Sequence, residues 1–533
     1  MTVFRYMLIK TGIMTHKKNM LLAALSGILL TGAFPKIGFD WLIWFALLPL
    51  LYALKDRPVR SAFRMGFITG LIHFMSLLYW LVPVMRTYGY LPAYLSLAVL
   101  CLFAAVLALF VALFSAALVA FGKAPGRCLI MIPICWVALE YLRSFIFSGF
   151  PWELLGYSQF NRLQLIQISD ILGVYGLSAL IALTNATLFI SLLYFTKRRW
   201  QDTHISNRLA GGSIIVLMAA LVLTLLYGHW RLIDIDKRMA ASPKTRIAVI
   251  QGNIDQAVKW DPAFQIDTVK KYNRLSASTI EQRPELIVWP ESATPFYFLY
   301  DIKPSELVFE GIHQTATDYL IGSPSFVRKN DEVHYYNSAY LISPQTKTIG
   351  KYDKTHLVPY GEYVPFKNWL PFLGKIVAQV GDFEAGTIGN TLKWKDRQVG
   401  VQICYEIIFP GLSRAMAKNN ASLLINITND AWFGKTSGPY QHFSMTVFRA
   451  VENRRSLARA ANTGISGFID PAGRILAATP LLEEAAVTRS IPLLKEKTIY
   501  TNTGDLFAGG CMAVVILATM LNIGRWGNKR KNG

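Results

Sequence analysis

The amino-acid sequence predicts two architectures in one chain: a polytopic α-helical membrane domain of about eight spans, and an α/β domain outside the bilayer. Three observations lead there. Of 533 residues, 53% are hydrophobic and only 16% charged, and the mean hydropathy is +0.33, the composition of a membrane protein with a substantial polar part. Long apolar runs recur through the first 230 or so residues and once more near the end. Between them, from about 232 to 500, lies a polar segment in which short β-branched runs alternate with helical patterns.

The apolar runs lie near residues 20–34, 40–54, 65–84, 93–121, 128–147, 168–195, 211–230 and 505–523, each reading as a spanning helix. The first two are short, with a tight re-entry at "FPKIGFDW". The first follows Lys17 and Lys18, lacks a small-residue cleavage site and is succeeded by further spans, so it reads as a retained anchor. Glu140 and Asp170 are the acids to watch within the spans. Intramembrane acids are functional candidates by default, yet both stand close to span ends, where reaching the interface is an ordinary role.

The formal net charge of +21 does not point to nucleic acid, because its carriers sit between apolar runs. "HKKNM", "KDRPVRSAFR", "GKAPGR", "TKRRW" and "RWGNKRKNG" have the pattern of cytoplasmic loops facing anionic lipid. The alternate connections, "RTYGYLPAY" and "SGFPWELLGYSQFNR", are aromatic instead. Both termini are then cytoplasmic and the 232–500 segment faces outward, into the periplasm of a bacterium. This gives three expected regions: a transmembrane domain over 1–231, an outer domain over 232–500, and a last span with a basic tail over 501–533.

Within the outer segment, "TRIAVIQGN", "PELIVWPE", "DYLIGSPS", "NSAYLIS", "VGVQIC" and "ASLLINITND" read as strands ending in turn or polar residues. "PAFQIDTVKKYNRLSAST" and "PYQHFSMTVFRAVENRRSLAR" read as helices, and Asp470-Pro471-Ala472-Gly473 makes a turn. Neither internal repeats nor low-complexity tracts are present. Four of the five cysteines (Cys101, Cys128, Cys135 and Cys511) lie in apolar runs. Cys404 is alone in the polar segment and has no partner there for a disulfide. A lone thiol facing an oxidising compartment is a liability unless it has a task.

Glu291, Lys354 and Cys404 each stand just beyond an apolar strand, where α/β folds place their active sites. Singly they are ordinary: a solvated cap, a surface lysine, a small buried hydrophobe. Jointly they make a machine. A carboxylate can take the thiol proton, an ammonium can steady thiolate and oxyanion, and the thiolate can attack an acyl carbon. Cys404 sits between a strand and the helix expected after Pro410, so the Tyr405 N–H can point at a developing oxyanion. Glu362 and Glu406 add carboxylates able to orient Lys354, position Glu291 or serve structure alone.

The motifs "WPES", "YDKTHLVPYGEYVPF", "ICYE" and "NDAWFG", in this order, resemble the nitrilase superfamily with its Glu-Lys-Cys triad. With "FPWELLGYSQ", "QGNIDQAVKWDP" and the membrane runs, the whole chain resembles the apolipoprotein N-acyltransferase family. The resemblance implies a nitrilase-like αββα sandwich, with Glu291 as general base, Lys354 as triad lysine and Cys404 as nucleophile. It implies support from Glu362, Tyr405 and Glu406, and links Trp260, Asn337 and Trp432 to site architecture or substrate access; a tryptophan in such a domain is otherwise an ordinary core residue. It further implies two-step acyl transfer without cofactor or metal. The donor would be a membrane phospholipid, and the acceptor the α-amino group of the diacylglyceryl-modified cysteine of an apolipoprotein. Two other readings remain: a membrane-tethered amidase acting on a small soluble amide, and a transporter with an accessory domain.

Overall fold

The computed structural model describes residues 2–364 and 382–531. Pro365 and Phe366, which close the motif "YDKTHLVPYGEYVPF", lie outside the described residues, as does the end of the basic tail. The chain forms two compact units. One comprises Met1–Gln159, Leu172–Gly228 and Asp505–Gly533; the other comprises Phe160–Ile171 and His229–Gly504.

The first unit is helical. Four of the described helices are long and apolar enough to cross a bilayer: Ala93–Phe121, Pro125–Arg143, Ser169–Phe195 and Asn207–Ala241. A fifth candidate is Val59–Leu77 followed by Leu81–Thr87, bent by 51° at the break. Small residues let Val59–Leu77 approach Ala93–Phe121 closely. A Cβ on Gly66 would lie 2.4 Å from the Val111 carbonyl oxygen, and one on Gly70 would lie 2.7 Å from Ala108 Cα. Close backbone approach of this kind drives helix association where lipid removes the hydrophobic drive.

The run at 40–54 departs from the expected spanning helix. It forms a 3-10 turn, Asp40–Trp44, then a short helix, Leu48–Ala53. At about 1.5 Å per residue such a pair falls well short of a hydrocarbon core of about 30 Å. Glu140 Oε1 accepts hydrogen bonds from Trp136 Nε1 (2.9 Å) and the Leu155 N–H (2.7 Å), so its role is to tie a loop to its helix.

The second unit holds two six-stranded sheets. In chain order after a small ribbon, β1 (Arg199–Trp200) and β2 (Thr203–His204), the strands are β3 (Lys244–Gln251), β4 (Leu286–Val288), β5 (Asp318–Lys329), β6 (Glu332–Ile342), β7 (Thr348–Asp353), β8 (Thr391–Trp394), β9 (Arg397–Ile403), β10 (Ala421–Thr428), β11 (Ser456–Ala461), β12 (Gly467–Ile469), β13 (Ile475–Ala478) and β14 (Ala485–Pro492). The sheet orders are β14-β3-β4-β5-β6-β7 and β13-β12-β11-β10-β9-β8. β3, β4 and β5 run parallel, as do β9, β10 and β11. Parallel strands are covered on both faces and read as unbroken apolar runs; all eight residues of β10 are buried.

Helices Pro262–Ala277 and Ile302–Thr315 cover the first sheet. Val269, Tyr272, Leu275, Val308 and Ile312 pack there against Ala248, Ile250, Ile287 and Ile321. Helices Pro410–Lys418 and Gly438–Asn453 cover the second. The sheets meet face to face, and Gln251 Oε1 accepts from Ser466 Oγ and Thr479 Oγ1, both at 2.7 Å. The architecture is therefore the expected αββα sandwich.

One expected helix is too long. Gly438–Asn453 stops at Arg454, which takes a left-handed φ of +51°, and "SLARAA" is strand β11. The polar look of "ENRRSLAR" misleads because its arginines point inward. Arg454, Arg455 and Arg459 are all buried, as is Arg449 just before the stretch. Arg454 and Arg231 both donate to Asp170 Oδ2, at 2.7 Å each, so Asp170 anchors the segment Phe160–Ile171 within this unit.

Candidate active site

Strand ends deliver the candidate residues. β4 runs straight into Trp289-Pro290-Glu291, and β7 ends one residue before Lys354. The Lys354 N–H donates to the Asn337 carbonyl of β6 (2.8 Å), and the Lys354 carbonyl accepts from the Gly386 N–H (2.8 Å). β5 must pass the Glu291 turn closely. A Cβ on Gly322 would lie 2.3 Å from the Pro290 carbonyl oxygen and 2.7 Å from Glu291 Cα.

Around Lys354 the structure assembles a buried charged cluster. Its Nζ lies 2.8 Å from Glu362 Oε1 and 3.5 Å from Glu291 Oε1, with the side chain 1% exposed. Asn337 Nδ2 donates to the same two carboxylate oxygens, at 2.8 Å each. Its Oδ1 is buried with no hydrogen-bond partner among the described residues. Backbone N–H groups complete the carboxylates: Asn429 to Glu291 Oε2 and Val358 to Glu362 Oε2, both at 2.9 Å. Burial alone would lower the Lys354 pKa. Glu362, then Glu291, outweigh it, so the ammonium is held above the usual lysine range.

Cys404 begins the 3-10 turn Cys404–Ile408 directly after β9 and carries a φ of +53°. A left-handed residue without glycine is uncommon, and such strain clusters at functional sites. The turn leaves Cys404 partly exposed. Burial, then the nearby Glu291 carboxylate, push its thiol above the usual range, with Lys354 opposing. The resting side chain is therefore a thiol, and a base must take its proton as it attacks.

Glu406 is wholly buried and acts as a clamp. Its Oε1 accepts from the Thr355 N–H (2.6 Å), Thr355 Oγ1 (2.8 Å) and the His356 N–H (3.1 Å), and its Oε2 accepts from the Ile403 N–H (2.6 Å). Tyr352 OH donates to both oxygens, at 3.0 Å each. One carboxylate thus fixes the strand end before Lys354 against the residue before Cys404. Tyr405 packs edge-on against Phe409, with centroids 5.2 Å apart. Trp260 and Trp432 are 48% and 40% exposed, too open for core residues.

Sequence reasoning missed two neighbours of these groups. Lys259 is buried, its Nζ donates to the Glu291 carbonyl (3.1 Å), and burial pushes its pKa down to about 8 against the pull of Glu291 and Cys404. The other is His442, whose Nε2 lies 3.2 Å from the Cys404 carbonyl oxygen and whose Nδ1 lies 2.9 Å from Asp430 Oδ1. Lys259 adjoins Trp260 in "QGNIDQAVKWDP", and Asp430 lies in "NDAWFG"; proximity to a singled-out tryptophan was the signal available for each. Among the described residues, no group of three or more His, Cys, Asp or Glu side chains is placed to hold a metal ion.

Comparison with known proteins adds the rest. Residues 26–187 match the apolipoprotein N-acyltransferase N-terminal domain, and residues 246–497 match the carbon-nitrogen hydrolase family. An apolipoprotein N-acyltransferase of Geobacter metallireducens is 45% identical over 499 residues, spanning 93% of this chain and 94% of its own. One from Methylococcus capsulatus is 32% identical, spanning 94% and 95%. The chain belongs to the apolipoprotein N-acyltransferase family. It joins that N-terminal domain to a carbon-nitrogen hydrolase domain. A solved amidase of the nitrilase superfamily from Nesterenkonia AN1 aligns with 47% of the chain and 93% of its own at 21% identity and a TM-score of 0.35.

Proposed function

We propose that this member of the apolipoprotein N-acyltransferase family moves an acyl chain from a membrane phospholipid to the α-amino group of the N-terminal diacylglyceryl-cysteine of lipoproteins, through a thioester on Cys404. The observation that carries the reading is the buried cluster of Glu291, Lys354, Glu362 and Asn337, clamped by Glu406 to the strained turn that presents the Cys404 thiol.

In the first half-reaction, Glu291 takes the thiol proton as sulfur attacks the ester carbonyl. Lys354 and the Tyr405 N–H receive the oxyanion. The C–O bond of the ester breaks, Glu291 returns its proton to the departing alkoxide, and lysophospholipid leaves. In the second, the neutral amine attacks the thioester, Glu291 accepts its proton, and collapse gives the amide and the Cys404 thiol. An α-amino group with a pKa near about 8 is partly neutral at physiological pH. The half-exposed Trp260 and Trp432 suit contact with acyl chains.

The site belongs on the outer face of a bacterial inner membrane, with residues 232–500 periplasmic between a transmembrane region over 1–231 and a last span over 501–533. Thr2–Gly32, the bent pair, the four long helices and Leu506–Asn522 give seven crossings. In this reading the short pair within Asp40–Ala53, less than a full span, is a re-entry that returns the chain to the cytoplasmic side and brings the count to about eight passes. A lipid-proximal site also restrains hydrolysis of the thioester.

The test is mass spectrometry of the protein incubated with phospholipid and no acceptor. An acyl group on Cys404, released by neutral hydroxylamine and transferred on addition of a diacylglyceryl peptide, is expected. An adduct of normal yield in Cys404→Ala would sink the reading.

A further inference from the structure

Beneath the nucleophile lies a polar network to which nothing above gives a role. His442 is on helix Gly438–Asn453 and 1% exposed. Its Nε2 faces the Cys404 carbonyl oxygen at 3.2 Å. Its Nδ1 lies 3.0 Å from Arg459 Nη2 and 2.9 Å from Asp430 Oδ1. Arg459 Nη2 also donates to Asp430 Oδ2 (2.8 Å), and Thr428 Oγ1 donates to Asp430 Oδ1 (3.0 Å). Arg459 is in turn fixed by donation from Nε to the Ile465 carbonyl (3.2 Å) and from Nη1 to Asn426 Oδ1.

The geometry decides where the histidine proton sits. A carbonyl oxygen only accepts, so Nε2 must carry a hydrogen. Both forms of the ring consistent with its neighbours meet that condition: the neutral ring whose Nδ1 accepts from Arg459, and the cation whose Nδ1 donates to Asp430. The remaining tautomer would oppose two lone pairs at 3.2 Å. Arg459 and Asp430 therefore lock the ring with Nε2–H aimed at Cys404.

That carbonyl belongs to the peptide unit whose other end is the Tyr405 N–H. In a trans peptide the C=O and N–H point to opposite sides. A donor holding the carbonyl from below fixes the direction of the N–H above it, and polarises the unit so that the N–H becomes a stronger donor. The constraint matters here because the turn starts from a residue at φ +53°, a conformation the surroundings must enforce.

We propose that His442, oriented by Asp430 and Arg459, is a positioning residue for the oxyanion hole: it acts through the Cys404–Tyr405 peptide on the N–H that receives the tetrahedral oxyanion. The inference rests on the acyl-transfer reading above. It predicts a defect confined to steps that build an oxyanion. Removing an oxyanion donor outright costs about 10²–10³ in rate, and slackening one costs less.

The experiment compares two reactions of Cys404 in the full-length protein in detergent. His442→Ala should slow thioester formation from phospholipid about ten- to a hundredfold, in kcat far more than in KM. Alkylation of the same thiol by iodoacetamide, a displacement that builds no oxyanion, should keep its rate and pH profile. His442→Gln, whose amide can donate to the carbonyl, should recover part of the acylation rate. Equal losses in acylation and alkylation would mean that His442 only holds the turn together, and unchanged acylation in a folded His442→Ala would remove its role; either overturns the proposal. Neither result touches the acyl-transfer reading, which falls only if Cys404→Ala still forms the adduct.

Discussion

At the residue scale, the site works by keeping charges buried but paired. Lys354 has carboxylates at 2.8 and 3.5 Å, so its ammonium persists where an isolated one would shed its proton. Lys354→Arg keeps the charge but places a wide planar guanidinium where a compact ammonium fits. Acyl-enzyme formation is expected to fall about a hundredfold or more, as displaced catalytic groups do, while folding and membrane insertion persist. Near-normal thioester yield would show that the ammonium is dispensable. Cys404 supplies a pH prediction. Its folded pKa is raised, so the thiolate is scarcer than in a free cysteine at every pH below that value. Without acyl donor, iodoacetamide should label it slowly at neutral pH. The rate should keep climbing beyond about pH 8.5, the region in which an ordinary cysteine levels off. A plateau near or below neutrality would show a preformed thiolate and remove the need for Glu291 as base. By the same logic, Glu291→Gln should form little or no acyl adduct.

At the element scale, the active site is set by how strand ends converge. Gly322 lets β5 slide under the Glu291 turn, because a methyl group there would meet the Pro290 carbonyl oxygen at 2.3 Å. Gly322→Ala is therefore expected to push Glu291 off its hydrogen bonds to Asn337 and the Asn429 N–H. A shift of about 1 Å at a catalytic group costs about a hundredfold, so acylation should drop by that order in protein that still extracts and melts as a folded species. Activity within twofold would show that β5 yields instead of Glu291. The same elements explain what was legible in the sequence. β4, β9 and β10 are buried apolar runs that stop at polar residues, so Glu291 and Cys404 could be found by their position at strand ends. Lys259 and His442 carried only the weaker signal of lying near, or pairing with, a motif that holds a singled-out tryptophan. The first lies in a loop that resembles any polar connection. The second lies on a helix buried at every residue but Tyr440, so burial there marks no single side chain as special. "ENRRSLAR" failed for a related reason: arginine normally marks solvent, and these arginines are internal donors. In the helical unit, composition revealed the long spans but not the breaks at 40–54 and 78–80.

At the scale of the whole molecule, the question is why a carbon-nitrogen hydrolase domain shares its chain with membrane helices. Both proposed substrates carry long acyl chains, and exposing these to water costs roughly 0.8 kcal/mol per CH₂. A catalytic domain tethered to the bilayer can meet them at the lipid surface and hold the thioester away from bulk water. The thioester should accordingly outlast a turnover when acceptor is withheld, and discharge on its addition. All of this requires residues 232–500 to face the compartment in which lipoproteins present their modified amino termini. The basic clusters argue that they do: "KDRPVRSAFR", "GKAPGR" and "TKRRW" begin on alternate connections of the helical unit, with "HKKNM" inside the first helix, Thr2–Gly32, and such asymmetry orients helices with basic loops in the cytoplasm. A reporter active only in the cytoplasm should be silent when fused near Pro243. The same reporter fused after the last helix, Leu506–Lys531, should be active. An alkaline phosphatase fusion should give the reverse pattern. Strong cytoplasmic signal near Pro243 would invert the topology, place Cys404 among reducing thiols instead of periplasmic substrates, and remove the lipoprotein acceptor from reach.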